Sequence, residues 1–472
     1  MPTFAAAWLF IAFILWLFIR DARQRTGVSG ALWIPLSWVF IIGTKPVSVL
    51  LNAGGSFVDA NGYLEDGILD KGIFFFLICA GLLVLIRRGK TGDVIRRNKW
   101  LILYFIYLAL SVLWADDVFT SFKRWFKDFG HLVMVMVVLT DEDPVESIKT
   151  LLARTSYLMI PLSVLVVKYY PRIGRSYDRW TFQPQIIGLT SHKNLLGMTL
   201  FICGLALFWM LLELFKERKH TKDNATLLGL LALGLMTAWL LHICHSATAL
   251  VCTLLGSAVL MSLQSPAVRN TVKHLGTYLL TCAILVGFLQ LSLGLVTTLK
   301  DEFVEYVGRD PTLHGRDAIW QAVLSEDINP LIGVGFYSFW SAERNQRIST
   351  SGGYFYNLGE AHNGYIEIYL NGGLIGLVLF IAVIFSAAKS IKREVLHGLP
   401  FGSVRLVFLL NILIYGISES IFDRMTIVWF AMILVMMEHM PARQERPVLE
   451  RRHPAFANRS QRTPLQRAVP SE

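Results

Sequence analysis

Residue types that move protons and grip phosphate are concentrated in a few polar stretches of an otherwise apolar chain. The first, "GEAHNGYIEIYLNGG" at 359–373, opens with Glu360, His362 and Asn363 and runs into an apolar segment. His is the side chain whose ordinary pKa lies nearest working pH, so His362 is a candidate general base. A lone His at a helix mouth also serves as a structural hydrogen bonder, and the residues around it must decide between the two. At helical spacing Asn363, Glu367 and Asn371 fall at i, i+4 and i+8, which lines them on one face. A polar stripe on a lipid-buried helix must face something other than lipid, and an internal cavity is the expectation. Asn411 and Glu419, near "GISESIFDR", are expected to add to that cavity.

A second stretch, "KYYPRIGRSYDRWTFQPQIIGLTSHKNLLG" at 168–197, sets Arg172, Arg175 and Arg179 among Tyr177 and Trp180. Guanidinium forks suit phosphate, and aromatic faces suit sugar rings or a membrane interface. A solvated loop touching lipid headgroups is the plainer reading. His192, Lys193 and Asn194 then open a helix whose N-terminus favours an anion, with Ser191 as its expected cap. Downstream, "PTLHGRDAIWQAVL" places Arg316 and Trp320 one turn apart on a short amphipathic helix, expected to lie at the membrane surface.

These stretches must be positioned by membrane helices. The 472 residues are 54% hydrophobic and 17% charged, too apolar for an ordinary soluble domain. About thirteen apolar runs are long enough to be read as spans. They lie near 4–19, 31–51, 73–86, 100–115, 129–140, 151–167, 195–215, 225–242, 247–263, 276–298, 364–388, 404–420 and 425–440. The first reads as a retained helix, because it lacks a basic leader and a small-residue cleavage site. The expected fold is therefore an all-α polytopic bundle. Its parts are ten helices within 1–298, a large outer loop at 299–363, three helices within 364–441 and a disordered cytoplasmic tail at 442–472 rich in Arg and Pro.

The basic segments 87–99, 216–222 and 389–393 are expected in the cytoplasm, which puts 52–72, 168–194 and 299–362 on the opposite side. The net charge of +10 then reflects sidedness rather than nucleic-acid binding. Positive charge in 168–194 runs against that rule and points either to another topology or to a bound anion. The five cysteines show no metal or redox spacing, and Asp141-Glu142-Asp143 is a weak metal pair far from the other polar groups. Gly372 and Gly376 suit close helix packing, and Gly333 and Gly335 a turn.

"GLTSHKNLLG" (188–197), "HSATAL" (245–250), "HGRDAIW" (314–320), "PLIGVGFYSFW" (330–340), "EAHNGYIEIYLNGGLIG" (360–376) and "SESIFDR" (418–424), in this order, resemble the O-antigen ligase and polymerase superfamily, most of all its exopolysaccharide-polymerising members. The resemblance covers about the last two thirds of the chain. It implies a GT-C-like bundle in the bacterial inner membrane with its active site on the periplasmic face. It also implies metal-independent, cofactor-free transfer of a glycan from undecaprenyl diphosphate to an acceptor glycan, alongside chain-length regulator and export proteins.

Under that resemblance His362 corresponds to the catalytic base, and Arg316 with Arg175 or Arg179 to the diphosphate clamps; Asn363, Glu367 and Trp320 would orient sugars. "CHSAT" at 244–248 departs from the ligases' commoner corner and leaves the acceptor open. A ligase acting on lipid A core or protein, and an anionic-solute transporter, are the alternatives. A transporter would more often show an internal repeat and Gly/Pro-interrupted helices at matching positions in the two halves, and neither is visible.

Overall fold

The computed structural model describes residues 3–24, 27–51, 57–58, 64–65, 67–177, 182–217, 223–276, 314–351 and 359–439, without the side chains of 57, 58, 64, 65, 217, 314–318, 349–351 and 400. The main helices are α1 (Thr3–Gln24), α2 (Trp33–Ile42), α3 (Ile68–Arg88), α4 (Lys99–Ser111), α5 (Val118–Leu139), α6 (Pro144–Tyr169), α7 (Lys193–Glu217), α8 (Asn224–Ile243), α9 (Ala247–Ser262), α10 (His314–Leu324), α11 (Ala342–Ser351), α12 (Gly364–Leu396), α13 (Pro400–Ser418) and α14 (Ile427–Met436). The fold is all-α and polytopic. Strand is confined, among the described residues, to two short hairpins, Phe57–Val58 with Leu64–Glu65 and Arg175–Tyr177 with Pro184–Ile186.

Twelve of the thirteen apolar runs are helical; 276–298 and the tail from 442 lie outside the described residues, apart from the start of the former. Fewer than thirteen helices are long enough to cross alone. Seven among the described residues are long and apolar enough, or eight if α9 and the bent segment after it form one span. Three others, Gly30–Ile42, Lys99–Trp114 and Ile427–Met436, are apolar but short. α14 is buried along its whole length, so protein rather than lipid surrounds it.

Ion pairs fix the two ends of the bundle. At one end Arg88 reaches Asp141 at 3.2 Å and the Val137 carbonyl at 2.5 Å, while buried Arg405 donates to the Val435, Met436 and Met437 carbonyls that close α14. A cation on those open carbonyls complements the helix dipole. Asp141 is committed there, and Asp143 caps α6 by accepting from the Glu146 amide, so neither is held for a metal. The opposite end gathers the segments around 188–192, 244–248, 330–345, 359–363 and 418–426.

α12 is broken where it meets the loop before α11. Gly373 has φ +61°, and a Cβ there would stand 2.3 Å from the Leu331 carbonyl carbon. The freed carbonyls of Leu370 and Asn371 accept from the Val334 and Gly335 amides, and the Leu374 and Ile375 amides donate to the Pro330 and Leu331 carbonyls. Irregular backbone within an apolar helix is tolerable where protein supplies the partners, as it does for these groups. Gly333 and Gly335, both at positive φ, therefore do more than turn the chain: they let its backbone lie against the break. Gly372 and Gly376 pack on the Tyr107 ring of α4, as close packing requires.

Candidate active site

His362 sits at the mouth of α12 in the left-handed region, φ +52°, a conformation rarely held by a non-glycine residue without support. The support comes from both sides. Ala361 gives its carbonyl to the Trp320 indole N–H at 2.8 Å, and the Asn363 amide donates to Ser420 Oγ at 3.1 Å. Asn363 also caps α12, its side chain accepting from the Tyr365 and Ile366 amides.

Glu360 Oε1 lies 3.1 Å from His362 Nδ1, and Glu419 Oε2 lies 3.7 Å from the same atom. A carboxylate facing Nδ1 makes that nitrogen the proton carrier and leaves Nε2 as the basic atom. Glu419 is held in turn by the Asn194 amide nitrogen at 3.1 Å. Arg424 closes the cluster. Its guanidinium reaches Glu360 Oε2 and Glu367 Oε1, each at 3.2 Å, and stacks on the Tyr337 ring at 5.4 Å. Glu360, His362 and Glu419 also offer a nitrogen and two carboxylate oxygens within 4.8 Å of one another, a set able to hold a divalent cation. The bound guanidinium already supplies positive charge to Glu360.

Glu367 does not line an open cavity, contrary to expectation. Its buried carboxylate accepts from the Trp340 indole, the Ala361 amide, Ser420 Oγ and Arg424. Asn371 accepts from the Ser338 and Phe339 amides. The polar stripe thus anchors the loop 330–341 onto α12. Asn411 does not join the cluster either; it donates to the Val407 carbonyl one turn back in α13. α10 also departs from expectation: Ile319 and Val323 pack in a protein core with Val334, Phe339 and Trp340 rather than on a membrane surface.

His192 takes the capping role expected of Ser191, its Nδ1 accepting from the Leu195 amide at 3.3 Å. The ring keeps contact with solvent, yet the protein packed around it disfavours the charged form. Its pKa falls below the usual value, with Glu360 and Glu419 opposing and His362 and Arg424 reinforcing that fall. Lys193 follows as the first residue of α7. Arg172 and Arg175 are exposed in and beside the hairpin, and Arg175 Nε donates to the Val167 carbonyl at 3.2 Å. Arg179 lies outside the described residues, as does the side chain of Arg316, whose helix is placed beside His362 by Trp320.

Sequence reasoning left Arg424 out of the site and gave Glu360 no role. The signal was the neighbourhood of "SESIFDR": a cation five residues after Glu419, just beyond the end of an apolar helix, must be paired or functional.

A bundle of apolar helices with this polar cluster at one end defines a multi-pass membrane protein, and two comparisons show that it is similar to O-antigen ligase and exopolysaccharide production proteins. Residues 186–381 match the family described as O-antigen ligase. Among individual proteins, the chain is similar to the exopolysaccharide production protein ExoQ of Rhizobium meliloti (strain 1021), 23% identical over 324 residues that span 65% of this chain and 68% of ExoQ. The matched family region includes His192, Asn194, Trp320, Glu360, His362 and Glu367, and stops short of Glu419 and Arg424.

Proposed function

We propose that the protein is an inner-membrane glycosyltransferase that polymerises exopolysaccharide or O-antigen-type repeat units at the periplasmic face. The donor is a glycan on undecaprenyl diphosphate and the acceptor is a sugar hydroxyl. The observation that carries this reading is the Glu360–His362 pair, backed by Arg424, inside the region matched to the O-antigen ligase family.

His362 Nε2 takes the acceptor hydroxyl proton as its oxygen attacks the anomeric carbon. A new glycosidic C–O bond forms, the C–O bond to the diphosphate breaks, and the lipid diphosphate leaves with the electron pair. Direct attack inverts the anomeric centre. Glu360 holds the imidazole and faces the imidazolium that results. Arg316, with Arg175 or Arg179, neutralises the charge growing on the leaving group, the service that a divalent metal gives other enzymes. Asn363 and Trp320 shape the approach of the sugars through the backbone around His362.

ExoQ's role in exopolysaccharide production favours a polymerase, while the family description favours a ligase as the second reading. The test is the size distribution of surface and secreted polysaccharide, with lipopolysaccharide run alongside, in a deletion strain complemented with the wild-type gene. Single repeat units without high-molecular-weight polymer in the deletion strain, with intact lipopolysaccharide, support the polymerase. Full-length lipid-linked polymer with bare core lipid supports the ligase. No change in either overturns both and favours the transporter.

A further inference from the structure

Among the described residues five that are not glycine hold positive φ, and three of them, Tyr337, His362 and Asp423, meet at one guanidinium. Arg424 stacks on the Tyr337 ring at 5.4 Å, grips the Glu360 carboxylate that faces His362, and follows Asp423 directly in the chain. Backbone in a sparsely populated region persists only where its surroundings over-determine it, and such residues cluster at working sites. For Asp423, at φ +54°, the surroundings include a helix from the first quarter of the chain.

Tyr104 on α4 is fully buried, its ring 5.7 Å from that of Phe380 in α12. A buried phenol needs a partner, and Tyr104 donates to Asp423 Oδ2 at 2.5 Å. Asp423 Oδ1 has no hydrogen-bond partner among the described residues, so there the phenol is the one donor that holds this carboxylate. The chain on either side is pinned as well. Phe422 packs its ring against those of Tyr365, Phe380 and Trp429, and the Thr426 amide donates to the Arg424 carbonyl at 2.7 Å. With Phe422 fixed in the core, the left-handed turn at Asp423 sends one side chain to α4 and the next to Glu360 and Glu367.

We propose that Tyr104 and Asp423 are positioning residues for the transfer: their bond fixes the turn from which Arg424 grips Glu360, and through Glu360 it sets the attitude of the His362 ring. Both lie outside the matched region 186–381, so the site is completed by α4 and by the turn before α14. The inference rests on the glycosyl transfer proposed above and deepens it. Tyr107, three residues further along α4, offers a comparison, because its hydroxyl makes a bond of the same kind to the Gly372 carbonyl, at the break in α12 and away from the turn at Asp423.

The test is steady-state transfer by the full-length protein in nanodiscs, with undecaprenyl-diphosphate oligosaccharide as the substrate. Tyr104→Phe removes the hydroxyl and keeps the ring; its kcat should fall about 3- to 30-fold with KM little changed, short of the roughly 100-fold that a misplacement of about 1 Å can cost. Asp423→Asn keeps an acceptor for the phenol and a side chain at ease in the left-handed region, so it should retain about half or more of the wild-type kcat. Tyr107→Phe should lose comparable thermal stability with kcat within about twofold of wild type. On an R424K background Y104F should cost little more, since the group it aims has gone. A Y104F kcat equal to wild type's, equal kcat losses in Y104F and Y107F, a D423N as impaired as Y104F, or Y104F and R424K losses that multiply in full would overturn the positioning role and leave the reaction standing. A wild-type protein that neither lengthens glycan nor releases undecaprenyl diphosphate would overturn the lipid-linked reaction, and the role with it.

Discussion

Arg424 bonds Glu360 through Oε2, the oxygen that His362 leaves free, while His362 faces Oε1. One carboxylate thus joins a fixed cation to the candidate base. The same guanidinium holds Glu367, which also accepts from the Trp340 indole and the Ala361 amide, so the orientation of His362 is tied to the packing of α12.

Arg424 is on this account a positioning residue. Arg424→Lys keeps the charge, but one ammonium cannot span Glu360, Glu367 and the Tyr337 ring. Its kcat should fall about 10- to 100-fold, less than the roughly 10²–10⁴-fold that a general base itself contributes, with KM little changed. An unchanged kcat in a folded variant would remove Arg424 from the positioning network.

Glu360, His362 and Glu419 are also close enough to share a cation, which makes chelation informative. The transfer rate of the purified protein should be unaffected by EDTA if, as proposed, arginines carry the charge of the leaving group. Inactivation by EDTA and recovery with Mn²⁺ would instead make the three residues metal ligands.

The broken helix α12 predicts a stability defect far larger than a surface change produces. Gly373→Ala must place a Cβ against the Leu331 carbonyl at positive φ. Thermal unfolding in detergent should show a loss of about 2–4 kcal/mol. Gly72→Ala, where nothing lies within 4 Å of the added carbon, is the control and should be near neutral.

His192 gives a pH dependence with a definite sign. Its folded pKa is lowered, so below about pH 6.5 the unfolded chain binds more protons than the folded one. Stability should be level above that pH and fall as the solution is acidified through it. His192→Asn keeps a capping acceptor without the titration and should flatten this part of the curve of Tm against pH. An equally steep curve in the variant would place the titration elsewhere.

Much of the architecture was legible because lipid imposes a simple rule: apolar runs must be helices. The stripe Asn363, Glu367, Asn371 was legible as a face but not in its purpose. Spacing shows that polar atoms point the same way, whereas the loop 330–341 that satisfies them arrives from elsewhere in the chain. The break at Gly373 was hidden for the same reason, since its partners are the backbone groups of 330–335. Arg424 was not assigned to the site because its value lies in reaching Glu360, 64 residues earlier in the chain and adjacent only after folding.

The central claim is that His362 is the base of a lipid-linked glycosyl transfer. It is tested most directly by reconstituting the full-length protein in nanodiscs with undecaprenyl-diphosphate oligosaccharide and following product length on a gel. Wild type should build a ladder and release undecaprenyl diphosphate, while His362→Ala, folded by its unfolding curve, should do neither. A ladder of normal length and rate from His362→Ala would contradict the account.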